Sequence, residues 1–170
     1  MKRLKKGEKG FTLIELLIVI AITGLITGAI TMTIVQVFNM NTRTSNRMSA
    51  VRQVQQAGFW VSPDVQMAQS VNATGGSSFP LTLTWTEWET NYLHAVNYTL
   101  EDMPSGELKK LQREHYIDSA LDSTTIVAEY IDPDQTSCVW DGEVLTFNVT
   151  ATVGEESETR VYEVKPRPET

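Results

Sequence analysis

The sequence predicts an α+β protein: a long N-terminal helix, membrane-spanning in its first half and amphipathic in its second, packed on an antiparallel β-sheet head. Three observations carry that prediction. Residues 16 to 42 hold no charged side chain and are dense in Leu, Ile, Val and Ala. Val51, Val54, Gly58, Val61, Val65 and Ala68 then recur at spacings of three and four, the signature of one apolar helix face. From residue 81 onward, short segments alternate apolar with polar residues, as half-buried antiparallel strands do. The expected boundaries are 1-10 for a leader, 11-40 for a transmembrane helix, 41-71 for a stalk helix and 72-170 for the β-rich head.

The leader is basic. Lys2, Arg3, Lys5, Lys6 and Lys9 stand against Glu8 alone, and they lie immediately before an apolar run longer than the roughly 20 residues a membrane helix needs. The positive-inside rule then predicts a single pass with the N-terminus in the cytoplasm and the head outside. An ordinary secretory signal peptide has an apolar core of about 7 to 15 residues followed by a small-residue exit site, and this run is too long for that. A plain signal anchor fits the length but gives no reason for Glu15, a carboxylate set in the first turns of the apolar run. An ionised group there is costly in lipid and asks for a partner.

The local sequence is Gly7-Glu8-Lys9-Gly10-Phe11-Thr12-Leu13-Ile14-Glu15-Leu16-Leu17. Its short basic leader, its Gly followed by Phe-Thr-Leu-Ile-Glu and its immediate apolar helix closely resemble the processing motif of the type IV prepilin and type II secretion pseudopilin superfamily. That resemblance implies a prepilin peptidase cutting between Gly10 and Phe11 on the cytoplasmic side and methylating the new Phe11 amine. It also implies that Glu15 meets the amine of a neighbouring subunit in the filament core. A local role, with Glu15 capping its own helix, is the competing reading, since a carboxylate in a first turn also suits the helix dipole. The partners implied are the peptidase, other pilins or pseudopilins, an inner-membrane assembly platform and the lipid bilayer. The place implied is the cytoplasmic membrane and then a periplasmic or cell-surface filament.

Within the apolar run, Gly24 and Gly28 form a G-x-x-x-G pair beside Thr23, Thr27 and Thr31, a spacing that lets helices approach closely in lipid. Many filament-forming members of the superfamily carry a helix-breaking proline in this stretch, whereas the first proline here is Pro63. A helix-interior proline loses a hydrogen bond, so a kink or a short break is expected at Ser62-Pro63-Asp64. The stretch Val51 to Ser70, with Phe59-Trp60-Val61 and Asp64, is similar to the second helical half of J-type minor pseudopilins. The order helix, meander, final hairpin ending in Val164-Lys165-Pro166-Arg167 resembles their heads.

In the head, Gly75-Gly76-Ser77-Ser78 reads as a turn. Strands are expected over 81–88, 95–100, 108–117, 125–130, 144–153 and 160–164, with Gly154-Glu155-Glu156-Ser157 as a hairpin tip. Beyond Gly10, nine basic and twenty acidic residues remain, a formal charge of -11. Such an acidic body argues against direct nucleic-acid binding, which needs clustered Lys and Arg. No disulfide can form within the chain, because Cys138 is the only cysteine, and a small buried apolar role is expected for it. His94 and His115 lie in no zinc-ligating pattern, and no nucleophile-elbow, phosphate-loop or dinucleotide motif is present. The chain is therefore expected to be no enzyme and to use no cofactor or metal. Asp132, Asp134, Asp141 and Glu143 could hold calcium, but they lack EF-hand spacing, and a solvated acidic loop is the favoured reading. The expected function is a minor pilin or pseudopilin. The alternative is a membrane-anchored extracytoplasmic binding or enzymatic domain with an uncleaved anchor.

Overall fold

A single helix, α1 (Leu13–Met67), is followed by eight strands. The computed structural model describes residues 10–73 and 79–167, so leader residues 1–9, the Gly75-Gly76-Ser77-Ser78 turn and Pro168 lie outside the described residues. The chain divides into two compact units, Met1–Thr42 and Arg43–Thr170.

In the first unit every described residue is exposed. The helix there is long and apolar enough, by length and composition, to cross a membrane. Three of its threonines bond back to the helix: Thr23 donates to the Val19 carbonyl at 2.7 Å, and Thr31 and Thr33 donate to those of Thr27 and Ala29 at 2.9 Å. Bonding back to the preceding turn makes a hydroxyl tolerable where water is absent.

In the second unit α1 buries Ala50, Val54, Ala57, Gly58, Val61, Asp64 and Val65. This is the expected stripe with two adjustments: Val51 is only half-buried, and Ala50, Ala57 and Asp64 join it. Each fully buried valine contributes about 1.5–3 kcal/mol. The helix runs without a break across Pro63. Pro63 is exposed and so is Phe59, whose carbonyl loses its helical donor, so the deficit falls on the solvent side where water can supply the missing bond.

The stalk helix ends at Met67 and not at 71. The Gln69 amide donates to the Thr84 carbonyl at 2.8 Å, which diverts the backbone into the sheet. Ser70–Ala73 then forms β1, and Val71 and Ala73, two apart, pack against the core. The three-residue step from Ala68 to Val71 had continued the helical stripe, but the edge of β2 offered a ladder that the helix could not.

The remaining strands are β2 (Leu81–Thr86), β3 (Leu93–Asp102), β4 (Lys109–Ile117), β5 (Ala120–Ile131), β6 (Ser137–Trp140), β7 (Leu145–Val153) and β8 (Glu156–Val164). All pairings are antiparallel. Strands β1 to β5 form a meander, β5 meets β7 at Ile131 and Ala151, and β7 also carries β6 and β8. The sheet curls enough to bring β6 beside β1. Six expected segments match strands, while β1 and the four-residue β6 were not anticipated. Two-residue loops close two hairpins: Asp118-Ser119, both left-handed with φ of 49° and 70°, and Gly154-Glu155, with Gly154 at φ 60°. Glu156 and Ser157, expected in the second tip, are already paired in β8.

One core fills the second unit. The helix stripe meets Leu81, Leu83, Val96, Tyr98, Leu111, Ile131, Leu145, Phe147 and Val149 from the sheet. Half-buried strands and an amphipathic helix each lack an apolar partner alone, and here they supply one another.

Candidate functional site

The start of α1 is built by a reciprocal cap. The Thr12 amide and hydroxyl both donate to the Glu15 carboxylate, at 2.9 and 2.7 Å, and the Glu15 amide donates back to the Thr12 hydroxyl at 3.4 Å. Thr12 and Glu15 thus form a capping box, with Glu15 three residues after the cap. The local reading of Glu15 has a geometry of its own. Gly10 and Phe11 precede the first helical residue and are exposed, Phe11 at 87%. An unwound, uncovered dipeptide is what a peptidase requires, since a helical segment must first open to enter a cleft.

Gly24 and Gly28 lie one turn apart on α1, and a Cβ added at either would meet nothing within 4 Å. With Val19, Ile20, Thr23, Thr27 and Thr31 they line one shallow groove on the exposed helix. Nothing in the first unit fills that groove.

The second unit contains a buried polar cluster that sequence reasoning missed. Asp64 accepts from Arg113 Nε at 2.7 Å, from Arg113 Nη2 at 3.1 Å and from the Tyr98 hydroxyl at 2.5 Å. The Arg113 guanidinium also stacks 5.4 Å from the Trp60 ring centre. Burial first, and then the Asp64 carboxylate, push the Tyr98 phenol far above its ordinary range. Every member is engaged by another, so the cluster pins α1 to β3 and β4 and exposes no reactive group. An acidic residue falling at a stripe position was the available signal.

Nor does the acidic loop gather into a cation site. The Asp132 carboxylate accepts from the Asp134 and Gln135 amides and the Gln135 side chain. Asp141 accepts from the Glu143 and Val144 amides, bonds that hold its carboxyl below its usual range. Glu143 pairs with Lys165 at 2.5 Å. Among the described residues no group of three or more His, Cys, Asp or Glu is arranged to hold a metal ion. Cys138 is buried, and burial pushes its thiol up to about 12, so it behaves as a small apolar residue.

His94 and His115, which lie in no zinc-ligating sequence pattern, are brought together. Their rings stack with centres 5.2 Å apart, and Trp85 stacks on His94 at 5.3 Å.

Residues 5–31 match the family described as the prokaryotic N-terminal methylation motif. No curated protein and no solved structure matches the chain. The N-terminus therefore carries a type IV prepilin-like motif, which implies processing by a prepilin peptidase and assembly with other pilins. With the apolar helix it points to membrane anchoring. The match ends twenty residues before the stretch that resembles J-type minor pseudopilins, so that narrower likeness gains no support from it.

Proposed function

We propose that this chain is a minor pilin or pseudopilin, a structural subunit of a type IV pilus or type II secretion-like filament. The observation that carries the reading is a coincidence of place. The matched methylation motif ends in an unburied apolar helix, and its Gly10 and Phe11 stand exposed just before that helix begins. Prepilin peptidase cuts between them on the cytoplasmic side of the inner membrane and methylates the Phe11 amine. The subunit waits as a single-pass protein with its head outside. The assembly platform then draws it into a filament, where Glu15 meets a neighbouring amine and the groove at Gly24 and Gly28 receives a neighbouring helix. The role of the chain is structural, without catalysis.

Cutting also explains the position of Glu15. A free amine at Phe11 lies four residues before it and supplies the positive charge that an apolar run otherwise lacks. Intact-mass analysis of the protein extracted from membranes of a cell with an active prepilin peptidase tests the reading. The expected species begins at Phe11 and carries one added methyl group. A chain retaining Met1 to Gly10 would support the anchored extracytoplasmic domain instead.

A further inference from the structure

Four titratable side chains form a row on the core-facing side of the sheet, between the β2–β3 loop and β5. His94 Nε2 lies 3.8 Å from the Glu87 carboxylate, His94 Nδ1 lies 3.0 Å from His115 Nε2, and His115 Nδ1 lies 3.1 Å from the Asp122 carboxylate. The sheet register builds the row. Trp85 pairs directly with His94, and His115 pairs with Val96, which sets the two histidines on a diagonal. Asp122 is the extra residue of a bulge, since His115 pairs with Ser123 and Tyr116 with Leu121. Bulges re-aim side chains, and this one turns the Asp122 carboxylate onto His115.

Proton counting defines the row further. A neutral imidazole has one donor and one acceptor nitrogen. With both rings neutral, His115 Nδ1 donates to Asp122 and His94 Nδ1 donates to His115 Nε2. That leaves His94 Nε2 bare, and it is buried without a hydrogen-bond partner while it faces a carboxylate. One proton placed there makes an imidazolium that donates to His115 on one side and faces the Glu87 carboxylate, 3.8 Å away, on the other. A second proton would set two N–H donors against each other across the 3.0 Å contact.

We propose that the Glu87–His94–His115–Asp122 row is a proton-binding site in which one proton on His94 Nε2 draws the Glu87 carboxylate inward and resets the β2–β3 loop. Glu87 closes that loop. Its amide donates to the Tyr92 carbonyl at 3.0 Å, its carbonyl accepts from the Asn91 amide at 2.9 Å, and its carboxylate accepts from the Thr90 hydroxyl. Drawing the carboxylate onto His94 competes with the Thr90 bond and moves the segment that carries Trp88, which is 95% exposed. The surroundings leave the proton as the available cation. Trp85 offers a neutral ring from β2, Gln69 is committed to the Thr86 amide, and Asp118 to the Leu93 amide. Arg113, two positions along β4 from His115, is held by Asp64, and among the described residues Glu87 and Asp122 pair with no Lys or Arg.

The test uses the full chain in detergent micelles with 5-fluorotryptophan at its four tryptophans. Trp85, stacked 5.3 Å from His94 and 6.1 Å from His115, reports on the histidine pair and Trp88 on the loop, each resonance assigned by Trp→Phe substitution. As pH falls from about 8 to about 5, where imidazoles change charge, both resonances are expected to shift together along a one-proton curve. Glu87→Gln should abolish the Trp88 shift and keep that of Trp85, and Glu87 is exposed, so the variant is expected to fold. His94→Gln should abolish the Trp88 shift. A static Trp85 resonance, a two-proton curve, or a Trp88 shift unchanged in Glu87→Gln would each overturn the proposal.

Discussion

Residues 13–42 and residues 43–67 belong to one helix, yet the first stretch buries nothing and the second buries a full stripe. The contrast teaches that apolar content and apolar arrangement answer different questions. From Leu16 to Val35 apolar residues lie on every side of the helix, so no rotation about its axis gives it a solvent face, which suits lipid or other helices as partners. Beyond Arg43 the apolar residues keep to one side, and the partner is the sheet of the same chain. A substitution in the second stretch should therefore act on folding, and one in the first on assembly.

The largest effect is expected at Asp64. Its side chain is 6% exposed and that of Arg113 is 11% exposed, so removing the carboxylate leaves a largely covered guanidinium without a counter-charge. Breaking such a pair costs about 3–5 kcal/mol. Asp64→Ala should lower the urea midpoint of the head, followed by near-ultraviolet circular dichroism of the full chain in detergent, by a corresponding amount. Asp64→Ala with Arg113→Ala should recover part of the loss. If the single variant unfolds with the wild-type midpoint, the cluster does not fasten α1 to the sheet.

Glycine gives the sharpest form of the contrast. A Cβ at Gly58 would sit 2.1 Å from the Tyr162 ring, whose hydroxyl donates to the Val54 carbonyl at 3.0 Å and so fixes the ring over the helix. Gly58→Ala should cost about 1–3 kcal/mol by overpacking. Gly28→Ala meets nothing in the chain and should leave head stability unchanged, even strengthening its helix by a Gly-to-Ala propensity gain of about 1 kcal/mol. Its loss should appear only when co-purification with other subunits is measured. If Gly28→Ala enters complexes as well as the wild type, the groove packs no neighbouring helix.

What the sequence revealed follows the same division. The apolar run, the stripe and the longer alternating strands were legible because periodicity records which side of an element is covered. The strand β1 was not, since Ala68 to Val71 continues a helical spacing and only the β2 ladder turns it into an edge. β6 escaped because four residues with one buried side chain, Cys138, carry too little alternation to register. The Asp64 cluster and the histidine row were hidden for a further reason. Arg113 is 49 positions from Asp64, and Asp122 reaches His115 only through a bulge, which no spacing rule anticipates.

Glu15 is where the two kinds of effect meet, because its carboxylate closes a capping box within the chain and is also the proposed partner of a neighbouring amine. Alanine cannot separate these, since it removes both. Glutamine can, for a capping box accepts Glu or Gln at the third helical position while Gln carries no charge. Both variants should still be cut after Gly10, because the dipeptide at the cut precedes the helix and does not need its cap. If charge pairing governs entry, Glu15→Gln and Glu15→Ala should both be cleaved to the Phe11 form and both be poorly crosslinked to other subunits. If Glu15→Gln crosslinks like the wild type and only Glu15→Ala fails, the carboxylate serves its own helix, and the amine released at Phe11 must find its counter-charge elsewhere.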